Sequence, residues 1–149
     1  MPKSITMIIA NIENVDDFYY DVFISISAAS VGFEVNDLIS TGLGETYYKH
    51  ILNSVEEATF LEFLNTSKDI LESSHSETQL NIAISENLIA HAGMKELLDK
   101  VITLWYLGTW DGFYVTTNAY TQGLAWKVMS AHPPGAKQPG FKSWNVKPV

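Results

Sequence analysis

Asp16, Asp17 and Asp21 stand close enough in the chain to suggest the paired carboxylates of general acid–base work. At the start of a helix the same residues answer the macrodipole and keep the surface hydrated, which is the simpler reading. His50, His75, His91 and His132 are scattered. No His-Glu-x-x-His pair occurs and no acid sits at ligand spacing from two of the histidines, so a metal site is not expected. Gly42 and Gly44 begin a glycine pair, but the third glycine of a dinucleotide loop is missing and the context is a turn between helices. A Gly-x-Ser-x-Gly elbow is absent, and with no cysteine in the chain there is no thiol nucleophile, thiolate ligand or disulfide. Glu56, Glu57 and Glu62 read as a solvated helix face. The expectation is therefore no catalytic residue, no cofactor-binding residue and no metal ligand. An enzymatic alternative, a small helical hydrolase or isomerase, would have to use His132 or Asp111.

Charge narrows the partners. Up to Asp111 the chain carries all 17 acids and five lysines, a balance of −12, while the last 38 residues carry four lysines and no acid. Arginine, the residue best shaped for bidentate grip on phosphate, does not occur. A body this acidic offers no clustered basic face for phosphate neutralisation, so nucleic acid is not an expected partner. No window approaches the roughly 18 consecutive apolar residues of a membrane span. The opening "MPKSITMIIANIENVDDF" has no charged leader or long apolar core, which makes a cytoplasmic location the expectation, or a periplasmic one if the chain travels with an exported partner.

Helices must position whatever these residues do. Val15, Phe18, Tyr19, Val22, Ile26 and Ala29 recur at helical spacing and predict a first helix over about 15–31, with Asn14 as its cap. The glycine-bearing stretch 32–44 breaks the pattern. Helical spacing resumes with Tyr47, Tyr48, Ile51, Leu52 and Val55, and again with Phe60, Leu61, Leu64 and Leu71. Ser76, in the polar connector 72–78, is placed to cap the next element. Leu80, Ile82, Ile84 and Leu88 alternate enough to leave a strand open, although the length favours a helix. Gly93 is expected to interrupt it, and Leu97, Leu98, Val101, Ile102 and Trp105 predict a last strong helix. The fold class is all-α: one domain over 1–149, with a body of about five helices at about 12–107 and an irregular arm at about 108–149.

That arm has no helical or strand period beyond a short strand or turn near 113–117, yet all four tryptophans lie between Trp105 and the chain's end. Trp105 falls on the apolar stripe of its helix, and Gly108 is placed to stop that helix. Ring surface of this amount must lie on something. Tyr120 and Trp126 either fold back on the body or face a partner, and Trp110 and Tyr106 are open in the same way. Lys137, Lys142 and Lys147 either lie against the acidic helices or meet a partner.

The order "LWYLGTW" at 104–110, "YVTTNAYTQGLAWKVM" at 114–129, then "AHPPG" and "PGFKSW" resembles the carboxy-terminal half of the small subunit of FAD-dependent sorbitol, glucose and fructose dehydrogenases. Residues 23–52, "FISISAASVGFEVNDLISTGLGETYYKHIL", are similar to the family's first two helices and the turn between them. The resemblance implies a helical, non-catalytic accessory subunit without a cofactor, which clasps and helps mature a flavin-bearing catalytic subunit of the glucose-methanol-choline oxidoreductase type. It implies FAD in that partner and a cytochrome c subunit in the same complex. The family's common twin-arginine leader has no counterpart in the stretch quoted above. An extended arm rich in proline and tryptophan loses little entropy on docking, and Trp and Tyr are frequent binding hot spots. The expected partner-binding residues are Tyr106, Trp110, Tyr120, Trp126, Pro133, Pro134, Phe141 and Trp144. The alternative is a free-standing helical module whose aromatics line a small-molecule or carbohydrate pocket.

Overall fold

Helix α1 (Ile12–Val31) runs through the middle of the molecule. The computed structural model describes residues 12–128 of the chain, with side chains from Asp17 onward. From Val22 on, α1 buries Val22, Phe23, Ile24, Ile26, Ser27, Ala28 and Val31, so most of its circumference is enclosed. A helix apolar on so many sides is a core helix rather than a surface one, and the next five α-helices in the chain, up to Leu107, pack against it. Asn14 lies inside the helix rather than at its cap.

The stretch 32–44 is not a plain break. It contains a short helix, α2 (Val35–Ser40), whose Leu38 is fully buried. Its ends are satisfied locally: the Glu34 N–H donates to Asp37 Oδ2 (3.1 Å), the Thr41 hydroxyl donates to the Leu38 carbonyl (2.7 Å), and the Leu43 N–H donates to Thr41 Oγ1 (3.1 Å). A helix this short leaves no periodic signature, which is why turn residues dominate the sequence there.

Helices α3 (Gly44–Ser54) and α4 (Glu57–Ser73) follow the predicted rhythm. Helix α3 approaches α1 closely at Gly44, where a Cβ would overlap the Tyr20 hydroxyl and come within 3.0 Å of Ile24 Cδ1. Helix α5 (Glu77–Ile84) starts at the expected cap, with Ser76 Oγ accepting from the Gln79 N–H at 3.1 Å while the Gln79 side chain accepts from the His75 N–H at 2.7 Å. Ser76→Ala should lower stability by about 1 kcal/mol, read as a shift of the urea midpoint at unchanged slope. The stretch left open between strand and helix is helical, and continues into a wide π turn over Ser85–Ile89 that keeps both Ile84 and Leu88 on the core side.

Gly93 is not the break before the last long helix but lies in the first turn of α6 (Ala92–Leu107). A glycine is tolerated there because the first-turn N–H groups have no intrahelical partners to lose. The break falls at the π turn and His91 instead. Met94, Leu97, Leu98, Val101, Leu104 and Trp105 form the buried stripe of α6. Trp105 meets the ring of Tyr47 edge-on at 4.9 Å and lies 6.2 Å from Phe23, which in turn meets Phe60 edge-on. This aromatic cluster joins α1, α3, α4 and α6 into one core. The fold is all-α apart from one two-strand hairpin, and among the described residues no helix is long and apolar enough to cross a membrane.

Candidate functional site

Gly108 decides where the chain goes after α6. It adopts the left-handed conformation (φ 76°) and its N–H donates to the Leu104 carbonyl at 2.8 Å, closing the helix as expected. Its own carbonyl then accepts from the Val115 N–H at 3.0 Å, which draws a hairpin back toward the helix end. Strands β1 (Thr109–Trp110) and β2 (Phe113–Tyr114) pair antiparallel, Thr109 with Tyr114 and Trp110 with Phe113. Asp111 (φ 51°) and Gly112 (φ 90°) make the connecting turn. Positive φ at both central residues is what a tight hairpin turn asks for, and Asp-Gly is a favoured pair for it.

Two more short helices complete the segment. Helix α7 (Thr117–Gln122) is capped by Thr116, whose hydroxyl oxygen accepts from the Ala119 N–H at 2.9 Å, and α8 (Leu124–Val128) lies along α6. Ala119, Leu124 and Trp110 are buried in the common core. Contact is close enough that two glycines are needed: a Cβ at Gly108 would lie 2.6 Å from the Ala119 carbonyl carbon, and one at Gly123 would lie 2.6 Å from the Tyr106 carbonyl oxygen. Residues 108–128 are thus folded against the body, whereas the sequence predicts an extended arm from about 108. Each element here spans two to six residues, too few for any period to register.

The expected partner-binding residues fall into different settings. Trp110 is 9% exposed, edge-on to the His50 ring at 5.5 Å, with Lys100 Nζ above it at 5.1 Å. Tyr106 is half-buried and its hydroxyl donates to the Val31 carbonyl at 2.6 Å, tying α6 to the end of α1. Tyr120 and Trp126 are brought together, rings 5.8 Å apart and edge-to-face, with the Trp126 indole N–H donating to the Tyr120 carbonyl at 3.0 Å. Both are half-buried against the fold, as one of the two readings requires. Pro133, Pro134, Phe141 and Trp144 lie outside the described residues, as do His132, Lys137, Lys142 and Lys147.

Two aromatics that sequence reasoning passed over complete the surface. Phe113 is 79% exposed and Tyr114 55% exposed, and the Tyr114 ring stands edge-on to Tyr120 at 5.0 Å. Tyr114, Tyr120 and Trp126 therefore form a continuous ladder of edge-to-face rings, and Phe113, the strand neighbour of Tyr114, stands exposed on the other face of the hairpin. The signal that could have found it is Asp111-Gly112: a two-residue turn there forces the flanking residues to pair, and puts Phe113 on a strand too short to be covered.

Two grooves adjoin the ends of this segment. One, of about 470 Å³, is lined by Lys95, Glu96, Asp99, Lys100, Trp110 and Asp111 among others. Lys95 pairs with Asp99 at 2.7 Å and Lys100 with Asp111 at 3.2 Å, so the Asp111 carboxylate is held in an ion pair. The other, of about 410 Å³, lies between Phe33, Glu34, Asp37, Tyr106 and Lys127. Here Lys127 Nζ donates to Asp37 Oδ1 at 3.2 Å and sits 5.7 Å from the centre of the Phe33 ring.

The Glu34 backbone N–H and then Lys127 hold the Asp37 carboxyl below its ordinary 3.8, because both favour the ionised form. A depressed pKa contributes stability above 3.8 that is lost as pH falls through the lower folded value. The stability gap between wild type and Asp37→Asn should be constant near neutrality and close as pH drops below 3.8, followed by urea midpoints. Burial raises the Tyr47 phenol far above its usual range, and burial aided by Glu45 and Asp21 raises Tyr20.

Among the described residues no group of three or more histidine, aspartate or glutamate side chains could hold a metal ion. No family model matches the chain, and neither a search of curated proteins nor one of solved structures returns a similar protein. What the geometry offers chemically is apolar ring surface on a rigid support, flanked by short charge pairs.

Proposed function

We propose that the chain is the non-catalytic small subunit of an FAD-dependent sugar or polyol dehydrogenase, which binds a flavin-bearing catalytic subunit of the glucose-methanol-choline oxidoreductase type and supports its maturation. Sugar oxidation would take place at the flavin of that partner, and a cytochrome c subunit would complete the complex. One observation supports the reading: the stretch that bears the family resemblance, 104–129, also carries the ladder of Tyr114, Tyr120 and Trp126 and the 79% exposed Phe113. Interface centres are rich in Tyr, Trp and Phe and poor in charge, and this surface has that composition. Co-expression with a flavoprotein encoded beside the chain's own reading frame tests it. The expected result is a stoichiometric complex that survives size-exclusion chromatography, and a flavoprotein that recovers less bound FAD when the small chain is left out. A chain that purifies as a stable monomer and ignores such flavoproteins would sink the proposal.

A second reading, a small-molecule or carbohydrate-binding module, draws on the groove beside Trp110, whose alternating lysines and carboxylates suit hydroxyl groups. Isothermal titration with monosaccharides separates the two, since only the second expects heat from the isolated chain.

A further inference from the structure

We infer that the ladder of Tyr114, Tyr120 and Trp126, together with the exposed Phe113 on the same hairpin, is a protein-docking surface, and that its partner presents an apolar patch rimmed by lysines and arginines. The inference rests on the small-subunit reading for the partner's identity, the flavoprotein, but the surface and its chemistry come from three observations.

The first is composition. Residues 112–126 are fifteen in a row without a charged side chain, in a chain that is 17% charged. The next longest uncharged run, 22–33, lies in and just after α1, the core helix, whereas this one bears Phe113 and Tyr114 more than half exposed. Water-facing chain of this kind has no solubility purpose, and desolvating it costs no ion.

The second is rigidity. Tyr114, Tyr120 and Trp126 brace one another edge-to-face at 5.0 and 5.8 Å, and the Trp126 N–H is already satisfied by the Tyr120 carbonyl. Rings held in one arrangement before contact lose little rotamer freedom on binding.

The third is the sign of the rim. The groove at the hairpin turn, lined by Gly112 next to Phe113, sets Glu96, Asp99 and Asp111 against Lys95 and Lys100, and the groove at Lys127, next to Trp126, sets Glu34 and Asp37 against that lysine, so each carries one more acid than base. The whole chain has a formal charge of −8. A second copy would bring the same excess of negative charge to the same rim, whereas a basic rim is steered toward it. Charge complementarity therefore selects a different, base-rimmed protein over self-association.

The test uses the full chain co-expressed with the flavin-bearing subunit. A photoreactive benzoylphenylalanine replaces Phe113 or, as a control, the equally apolar and 52% exposed Ile82 on α5. Irradiation is expected to link position 113 and not position 82 to the flavoprotein. The double variant Phe113→Ser/Tyr114→Ser should keep the melting temperature of the isolated chain and bind the flavoprotein roughly tenfold or more weakly, as loss of two aromatic anchors implies. Its wild-type counterpart should associate more slowly as salt is raised. A cross-link from 113 to a second copy, or to residues 129–149 of the same molecule, overturns the assignment, as does a double variant that binds like wild type. An association rate indifferent to salt overturns the basic rim. If position 82 links and 113 does not, the small-subunit reading survives and this surface does not; if wild type fails to bind at all, both fall.

Discussion

Gly108→Ala is expected to destabilise the protein by about 3 kcal/mol, a fall of roughly 10 °C in melting temperature for a chain of this length. Two costs add. A side chain at φ 76° pays about 1–2 kcal/mol for the left-handed backbone, and the new methyl would press on the Ala119 carbonyl, where a Cβ would come within 2.6 Å of the carbon. Backbone cannot swing aside as a side-chain tip can, so the hairpin and α7 must lift as a unit. Gly123→Ala, which meets the Tyr106 carbonyl but needs no left-handed φ, should cost less than Gly108→Ala. Thermal unfolding of the two variants side by side checks the order. On the functional reading, Gly108→Ala should also weaken flavoprotein binding, because it displaces the ladder without altering a ring.

Trp105→Ala is expected to cost about 3–5 kcal/mol, enough to leave a large unfolded fraction at 37 °C. The indole is 1% exposed and stands where α1, α3 and α6 meet, edge-on to Tyr47 and beside Phe23. Nothing at that junction can collapse into the space, because α1 is enclosed by its neighbours from Val22 on. Trp105→Phe should behave quite differently, staying within about 1 kcal/mol of wild type. The Trp105 indole N–H is buried without a hydrogen-bond partner among the described residues, so phenylalanine removes an unsatisfied donor along with some volume. Equilibrium urea unfolding of the pair distinguishes packing from polarity: comparable losses in both variants would mean that the indole N–H has a partner after all.

The long helices were legible because they are periodic. Residues of α1, α4 and α6 repeat their apolar positions over several turns, and Ser76 and Gly108 mark ends with side-chain and backbone chemistry that needs no tertiary context. Residues 32–44 and 108–128 were not legible in the same way. Helix α2 is a turn and a half held by one buried leucine, and β1, β2, α7 and α8 are too short to repeat a period. In such segments turn residues look alike whether the chain leaves the body or doubles back on it. The candidate surface shares that history: Tyr120 and Trp126 were marked by type alone, while Phe113 and Tyr114 became visible only once the hairpin was formed.

Sequence alone determined the all-α class, the main helices and the division between an acidic body and an acid-free end, since these depend on residue type and local spacing. Tertiary structure alone decided that residues 109–128 return to α6, that Trp110 is buried while Phe113 is not, and that three separate aromatics make one ladder. The reason is that this return is settled by backbone-to-backbone fit at Gly108 and Gly123, a long-range steric condition that no run of neighbouring residues encodes.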